Sequence, residues 1–289
     1  MTIDLLRCAL PAAPPPFDIG RVDHHFVVSA ALEALGAARG EPDRAGPALS
    51  RWFRRARRLG SKDRRLVAEM VYDTLRHEGI LTRDGAADDA AKIERWKGLV
   101  GGDRMEGLPA TTPEADYATA LSLPLEIATE WLDVLGEEGA AALGAALSER
   151  APTTLRANRV RCTPQQLAKR LAEEGIETTP TAQATDGLHV LTRANFPALR
   201  SFKEGWFEVQ DEASQLLCAA IGARRGLSVL DFCAGAGGKS LALAATGADV
   251  RAHDVRPRVL QELHKRAKRA DVKVSVGPPK PADVVLVDA

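Results

Sequence analysis

One segment near the carboxyl end restricts the fold of this chain more than any other. An apolar stretch at 227–232 is followed by the glycine-rich turn CAGAGGK and by an Ala/Leu helix at 240–245. A second strand at 250–254, a basic helix at 258–269 and further strand-like runs ending in 284–287 come next. Strands that alternate with helices predict a parallel, doubly wound α/β sheet.

The glycine-rich turn predicts a nucleotide-like ligand at the carboxyl edge of that sheet. Glycines let the backbone approach a ligand closely, and the helix N-terminus presents free N–H groups. Asp254 closes the second strand, 19 residues after Gly235, where an acid accepts hydrogen bonds from ribose hydroxyls. The plainer alternative is a tight turn whose glycines serve only the backbone.

The spacing within the turn distinguishes between nucleotides. Its glycines do not have the GxGxxG spacing of a dinucleotide fold. Gly238-Lys239-Ser240 matches the end of a P-loop, and VVLVD, which ends at Asp288, resembles a Walker B strand. A P-loop requires glycine five residues before Gly238, however, and Cys233 stands there. S-adenosylmethionine fits better, because it combines adenosine with an amino-acid tail and has no phosphate. A P-loop NTPase remains the alternative.

Several segments together resemble one family. LDFCAGAGGK at 230–239 is similar to the cofactor loop, usually DxCAAPGGK, of the RsmB/NOP/Sun (Fmu) group of S-adenosylmethionine-dependent RNA cytosine-C5 methyltransferases. FEVQDEASQ at 207–215 resembles the segment before that loop, and LRANRV at 155–160 resembles the start of the family's small linking domain. The helical segment GSKDRRLVAEMVYDTLR resembles the NusB-like RNA-binding domain of the bacterial rRNA members.

The resemblance implies a cofactor site at the loop and at two strand ends. The loop would wrap the methionine part of S-adenosylmethionine, and Asp254 would hold the ribose. Asp288 corresponds to the acid of the family's DAPC motif, beside the cofactor and the target cytosine, and Lys239 would face the reacting centre. A surface lysine and a strand-end cap are the ordinary alternatives for these last two, which we take as supporting catalytic residues. The cofactor-binding candidates are Cys233, Ala234, Gly235, Ala236, Gly237, Gly238, Lys239, Asp254 and Asp288.

The chain departs from the family pattern in three places. Ala236 replaces the proline of the loop, and Gly277-Pro-Pro-Lys-Pro stands where an acid near the adenine is expected. The last residue, Ala289, comes before the Pro-Cys of the DAPC motif and before the catalytic cysteine of the family.

The third departure bears on the mechanism. Methylation at C5 of cytosine needs a thiolate that adds to C6. None of the four cysteines, Cys8, Cys162, Cys218 and Cys233, suits that role. An apolar fourth strand would also be left as an open edge, which native sheets avoid. We therefore expect a methyltransferase domain truncated after its fourth strand, with its nucleophile beyond Ala289, and inactive as given.

Changes in composition, together with the family resemblance, divide the chain into four parts. We predict a loose N-terminus at 1–20, a helical NusB-like domain at 21–148, a small α+β linking domain at 149–206 and a Rossmann-like class I methyltransferase domain at 207–289. Within the helical part, Ser61 is the predicted N-cap of a helix. The acidic stretch 84–112 is predicted to be mostly loop, with a short helical patch around 93–99.

The net charge of zero hides an uneven distribution. Residues 1–149 hold 18 basic and 24 acidic groups, net −6, whereas residues 150–289 hold 21 and 15, net +6. Eight bases and one acid lie between Arg51 and Arg65, beside Trp52 and Phe53. Arginine-rich patches favour phosphate binding, although a solvated face with its aromatics in the core is the alternative. The RNA-binding candidates are Arg51, Arg54, Arg55, Arg57, Arg58, Lys62, Arg64 and Arg65, with Arg156 in the linking domain.

Composition narrows the class of protein further. No apolar run reaches the ~18 residues of a membrane span. The cysteines form no CxxC pair, so neither a zinc site nor a disulfide frame is indicated. We expect a cytoplasmic monomer that uses S-adenosylmethionine and binds RNA, 16S rRNA rather than tRNA, with no metal and no membrane. A non-catalytic RNA-binding assembly factor with the same fold is a further alternative.

Overall fold

A computed structural model describes residues 25–40, 45–100, 112–148, 151–192 and 194–288. The predicted N-terminal segment 1–20, with Cys8, lies outside these residues, as do part of the acidic stretch and Ala289. The chain divides into two compact units, the first ending at Arg150 and the second beginning at Ala151. No helix in the described part is long and apolar enough to cross a membrane.

The first unit is helical throughout its described elements. Its core is built from apolar residues at helical spacing, among which Trp96 is fully buried. The last helix contains a kink at Gly136, whose φ of 67° lies in the left-handed region. The helices are α1 (His25–Arg39), α2 (Ala45–Arg55), α3 (Ser61–Arg76), α4 (Glu78–Arg83), α5 (Asp89–Val100), α6 (Pro113–Leu121) and α7 (Leu125–Ser148).

Two local predictions for this unit are wrong. Helix α3 begins at Ser61 itself, and Gly60 takes the N-cap position without a side-chain hydrogen bond. Helix α5 also begins four residues before the predicted patch, at Asp89. Lys92, Ile93 and Trp96 are buried on it, so tertiary packing extends a helix into a stretch whose acidic composition suggested loop.

The second unit begins with an antiparallel sheet of strand order β2-β3-β1-β4. Its elements are β1 (Thr153–Ala157), α8 (Pro164–Glu173), β2 (Thr178–Pro180), β3 (Gly187–Val190), a 3-10 turn (Phe196–Ala198), α9 (Arg200–Lys203) and β4 (Phe207–Val209). Thr163 and Gln166 form a reciprocal capping box at the start of α8, and the sequence Thr-Pro-Gln-Gln at 163–166 is typical of such a helix start. Strand β4 pairs with β1, although the sequence assigned Phe207 to the following region.

A parallel sheet follows, with strand order β7-β6-β5-β8. The predicted parallel α/β arrangement is therefore confirmed, in a chain of mixed helical and α/β structure. Its elements are α10 (Glu212–Ala220), β5 (Ser228–Asp231), α11 (Gly238–Ala244), β6 (Asp249–Ala252), α12 (Pro257–Ala270), β7 (Ser275–Val276) and β8 (Val284–Leu286).

The two sheets of the second unit are joined along the C-terminal half of α12. Asn158, just after β1, donates from Nδ2 to the carbonyl oxygens of Gly205 and Ala270, at 2.8 and 2.7 Å. Gly205 has a φ of 74°, and a Cβ there would lie 1.9 Å from the carbonyl oxygen of Arg269. Only glycine fits this position, because the helix backbone occupies the space that a side chain needs.

The substitution Gly205→Ala tests this contact. We expect it to destabilise the second unit by more than about 2 kcal/mol, because it adds a backbone clash to the left-handed strain of about 1 kcal/mol. Urea unfolding measures the loss. Gly226→Ala is the matched control, since its φ is 87° and nothing lies within 4 Å of its added Cβ. Equal losses in both variants would show that the contact with α12 contributes nothing.

Candidate functional site at the carboxyl edge of the parallel sheet

The candidate loop connects the end of β5 to the start of α11. Gly235 and Gly237 have φ values of 54° and 84°, in the region that favours glycine. A Cβ on Gly237 would lie 2.6 Å from Cγ of Leu263 on α12. The N–H of Ala234 donates to the carbonyl oxygen of His253 at 2.8 Å, which ties the loop to the end of β6. These glycines are therefore required by the turn and by its packing on α12.

Asp254 lies just after β6, at the end of the second predicted strand, and links that strand to the loop. It accepts hydrogen bonds from the N–H of Gly235 (2.9 Å) and from the N–H, Nε and Nη2 of Arg256 (2.8, 3.0 and 3.1 Å). The side-chain hydrogen bond from Arg256, with the backbone donors, holds the Asp254 pKa far below its usual value. Asp254 is buried, whereas the Arg256 side chain is 66% exposed, so only Arg256 is free to exchange its contacts for solvent.

Asp231, the last residue of β5, faces inward and supports the start of α11. Ser240 Oγ donates to its carboxylate at 2.5 Å, and both residues are buried. Burial raises the pKa of Asp231. This acid therefore has a structural role beneath the loop.

Lys239 and Asp288 are brought together by the fold, although 49 residues separate them in the sequence. The Lys239 ammonium group forms an ion pair with the Asp288 carboxylate. Lys239 lies at the start of α11 and Asp288 follows β8, which is the neighbour of β5 in the sheet. The Lys239 side chain is 17% exposed and that of Asp288 is 52% exposed, so the carboxylate faces solvent at this edge.

Residues of α12 and β4 also hold the loop in place, although the sequence did not indicate them as site residues. Arg266 on α12 donates from Nη1 to the carbonyl oxygen of Ala236 at 2.9 Å and from Nε to Glu208 at 3.0 Å. Glu208, in the middle of β4, is 2% exposed and also accepts from Arg269 at 2.6 Å. An antiparallel strand of the first sheet thus positions the loop of the second. In the sequence, the only indication of this role was the acidic residue Glu208 inside the otherwise apolar strand FEV.

The contact between Arg156 and Gln210 contradicts the prediction that Arg156 binds RNA. Arg156 was an RNA-binding candidate, but it is 5% exposed and donates from Nε to Gln210 Oε1 at 2.6 Å. Burial lowers its pKa. Its place on β1, inside the sheet, prevents contact with RNA. Gln210 Nε2 is buried without a hydrogen-bond partner and lies 3.9 Å from the position of a Cβ on Gly238.

The predicted basic cluster of the first unit separates into two groups. Arg54, Arg55, Arg57, Arg58, Lys62 and Arg65 are exposed, whereas Arg51 is half-buried and makes a contact of its own. Trp52 and Phe53 form an edge-to-face pair at 5.2 Å and pack against the core, so the core alternative holds for these rings.

Arg64 was predicted to bind RNA, and the structure contradicts this prediction. Its guanidinium group donates to the carbonyl oxygens of Leu59, Phe53 and Ala56, at 3.0, 2.5 and 2.7 Å. Carbonyls at a helix C-terminus lack partners within the helix, and a cation there is favourable. Arg64 therefore fastens the end of α2 to α3, and its donors are not available for phosphates.

Two of the cysteines, Cys162 and Cys218, are buried. Burial raises the pKa of Cys162 to about 11 and also raises the pKa of Cys218. Both therefore remain thiols at neutral pH, whereas nucleophilic addition requires a thiolate. Cys233 is half-buried in the loop. Within the described ranges, no three His, Cys, Asp or Glu side chains are grouped so that they could hold a metal ion.

The separate roles of Arg64 and Arg65 generate a prediction about stability. We expect Arg64→Ala to lower the free energy of unfolding of the first unit by about 2 kcal/mol, because three charge-assisted hydrogen bonds to backbone carbonyls are lost. Arg65→Ala, at an exposed neighbour, should change it by less than about 0.5 kcal/mol. Urea unfolding followed by circular dichroism compares the two. Equal stabilities would contradict the role assigned to Arg64.

Comparison with known proteins places this geometry in context. Residues 125–196 match the family model described as Methyltr_RsmF/B-like, ferredoxin-like domain. The chain is 35% identical to ribosomal RNA small subunit methyltransferase B of Salmonella arizonae over 131 residues, which are 45% of this chain and 30% of the relative. It is 29% identical to the probable ribosomal RNA small subunit methyltransferase B of Bacillus subtilis, over 59% of this chain and 42% of the relative. The chain therefore spans less than half the length of these curated relatives.

Solved structures share the fold at low sequence identity. A methyltransferase homolog protein from Pyrococcus horikoshii has a TM-score of 0.53 and 24% identity, over 58% of this chain and 56% of its own. NSun6 from Pyrococcus horikoshii, solved with SFG, has a TM-score of 0.53 and 16% identity, over 57% and 70%. The likeness to the RsmB/NOP/Sun group of methyltransferases, which the loop and its flanking motifs indicate, is thus confirmed by the family model and the curated relatives.

Proposed function

We propose that this chain binds S-adenosylmethionine and RNA as part of a methyltransferase that modifies C5 of cytosine in 16S rRNA. The observation that carries the proposal is the glycine loop whose Gly235 N–H is hydrogen-bonded to Asp254 at the ends of two adjacent parallel strands. Ligands of open α/β sheets bind at this edge. The relatives named ribosomal RNA small subunit methyltransferase B support the reaction class and the substrate.

The residues at the edge fit the proposed cofactor. The left-handed glycines leave the loop backbone without side chains, which suits an amino-acid tail lying against it. Asp254 is a buried carboxylate on which two ribose hydroxyls could donate once the exposed Arg256 guanidinium turns away. When bound, S-adenosylmethionine supplies an electrophilic methyl group.

Lys239 and Asp288 are proposed to organise the side of the site that faces the target base. Their ion pair connects the start of α11 with the end of β8. It fixes the position of the Asp288 carboxylate, which would accept a hydrogen bond from the exocyclic amine of cytosine. We assign the attack on C6 to neither Cys162 nor Cys218, because burial keeps both thiols protonated.

The first unit is proposed to bind RNA as a NusB-like domain. Its exposed cluster, which excludes Arg64, offers six cations within 12 residues of sequence, from Arg54 to Arg65. Binding through such side chains releases counterions and is therefore sensitive to salt.

Calorimetric titration of the 289-residue chain tests the cofactor assignment. We expect S-adenosylmethionine to bind and ATP not to bind. Asp254→Ala should weaken binding by at least about tenfold, because hydrogen bonds to a charged group contribute ~1.5–3 kcal/mol. The control Asp249→Ala removes an exposed acid at the opposite end of β6 and should change little. Binding of ATP in place of S-adenosylmethionine would favour the NTPase alternative and overturn the proposal.

A further inference from the structure

An open groove of about 790 Å³ lies on the second unit, outside the candidate cofactor site. It is formed by the turn around α9 on one side and by the C-terminal half of α12 on the other. The residues that matter for its chemistry are Arg161, Phe202, Lys203, Trp206, Lys265 and Lys268.

Positive charge dominates this groove. Five of its nine lining residues are Lys or Arg, and its one acid, Glu204, is already paired with Arg200 at 2.5 Å and with Arg170 at 3.6 Å. Lys265 has only an exposed partner, Glu262 at 3.4 Å, and exposed pairs of this kind contribute little. Arg269 is held by the buried Glu208 at 2.6 Å and is not available to a ligand. Arg161 is paired with the exposed Asp271 at 3.4 Å, and Lys203 donates to the carbonyl oxygen of Ala198 at 3.0 Å. The exposed cations of the groove therefore favour a polyanion.

Two aromatic rings form part of the groove. Trp206 is half-buried, with the Arg170 guanidinium 5.6 Å from its ring centre. Phe202 is half-buried beneath the Arg269 guanidinium at 3.9 Å. Both rings also pack against the core of the first sheet, so they are held rigidly. Aromatic side chains beside cations are the combination on which unpaired bases stack while phosphates are neutralised.

The direction of α12 connects this groove to the candidate site. Arg256, at the N-cap of α12, contacts Asp254, and Lys268 lies 12 residues further along. At a rise of 1.5 Å per residue, that distance is about 18 Å. A strand lying in the groove could therefore continue along α12 to the carboxyl edge of the parallel sheet.

We propose that this groove binds single-stranded RNA next to the modified nucleotide, with phosphates on Lys203, Lys265 and Lys268 and a base stacked on Trp206. The inference deepens the proposed function, because it rests on RNA being the substrate. It assigns to the second unit an RNA contact that is independent of the arginine cluster in the first. RNA binding at the groove can be measured without methyl transfer.

The test uses fluorescence anisotropy of the whole chain with a labelled single-stranded RNA of about 12 nucleotides, within the site sizes of single-strand binders. The triple variant Lys203→Glu, Lys265→Glu, Lys268→Glu should weaken binding at least tenfold. It should also lower the slope of log affinity against log salt by about 2, at ~0.7 per phosphate contact. The matched control Lys169→Glu, Arg224→Glu, Arg225→Glu changes the charge equally at exposed positions outside the groove.

The results distinguish a failure of the proposed RNA site in the groove from a failure of the proposed methyltransferase function. The proposed RNA site would be contradicted if the triple variant of the groove lysines bound RNA with unchanged affinity. An equal loss of affinity in the triple variant and in its control would also contradict it. Competition by poly-glutamate as effective as that by unlabelled RNA would also overturn it, in favour of an acidic protein partner. Circular dichroism of the same variants should give the wild-type spectrum, which shows that they are folded, and S-adenosylmethionine titration is carried out separately. If RNA binds through the groove but S-adenosylmethionine does not bind, the groove stands and the proposed methyltransferase fails.

Discussion

The carboxylate of Glu208 is the contact on which the arrangement of the second unit depends. It lies in the first sheet, 2% exposed, between two arginines of α12, and one of these, Arg266, holds the carbonyl oxygen of Ala236 in the candidate loop. A buried carboxylate is tolerated only when it is paired, and removing one partner costs ~3–5 kcal/mol. These contacts therefore connect the antiparallel sheet to the loop, and the antiparallel sheet contributes to the candidate site.

Other contacts also join the antiparallel sheet to α12 and to the loop. Asn158 closes the C-terminus of α12, and Gly205 permits the helix backbone to approach. Gln210 continues from β4 to a position beneath Gly238, fixed by the buried Arg156. Hydrogen bonds within this network are strengthened by the low local dielectric. The LRANRV and FEVQDEASQ segments both contribute to it, which gives a physical reason for their place in the sequence.

Local patterns predicted much of the parallel half of the chain. The glycine turn, the alternation of strands and helices and the capping box at Thr163 depend on neighbouring residues, so they can be read from short stretches. The position of Asp254 at a strand end marked it as a site residue, but its hydrogen bond to the N–H of Gly235 was not predicted. Burial of Arg156 and the use of Arg64 as a helix clamp could not be predicted. Both depend on which distant backbone carbonyls or amides face the guanidinium group, and composition treats all arginines alike.

The effect of Glu208 on cofactor affinity is the most direct measurement of the connection between the antiparallel sheet and the loop. We expect Glu208→Gln to weaken S-adenosylmethionine binding about tenfold in calorimetry, because Arg266 loses its anion and no longer holds Ala236 firmly. Glu173→Gln, which removes an acid with a 56% exposed side chain on α8, should leave the Kd unchanged. A folded Glu208→Gln variant with wild-type cofactor affinity would contradict the role that we assign to the antiparallel sheet in positioning the loop.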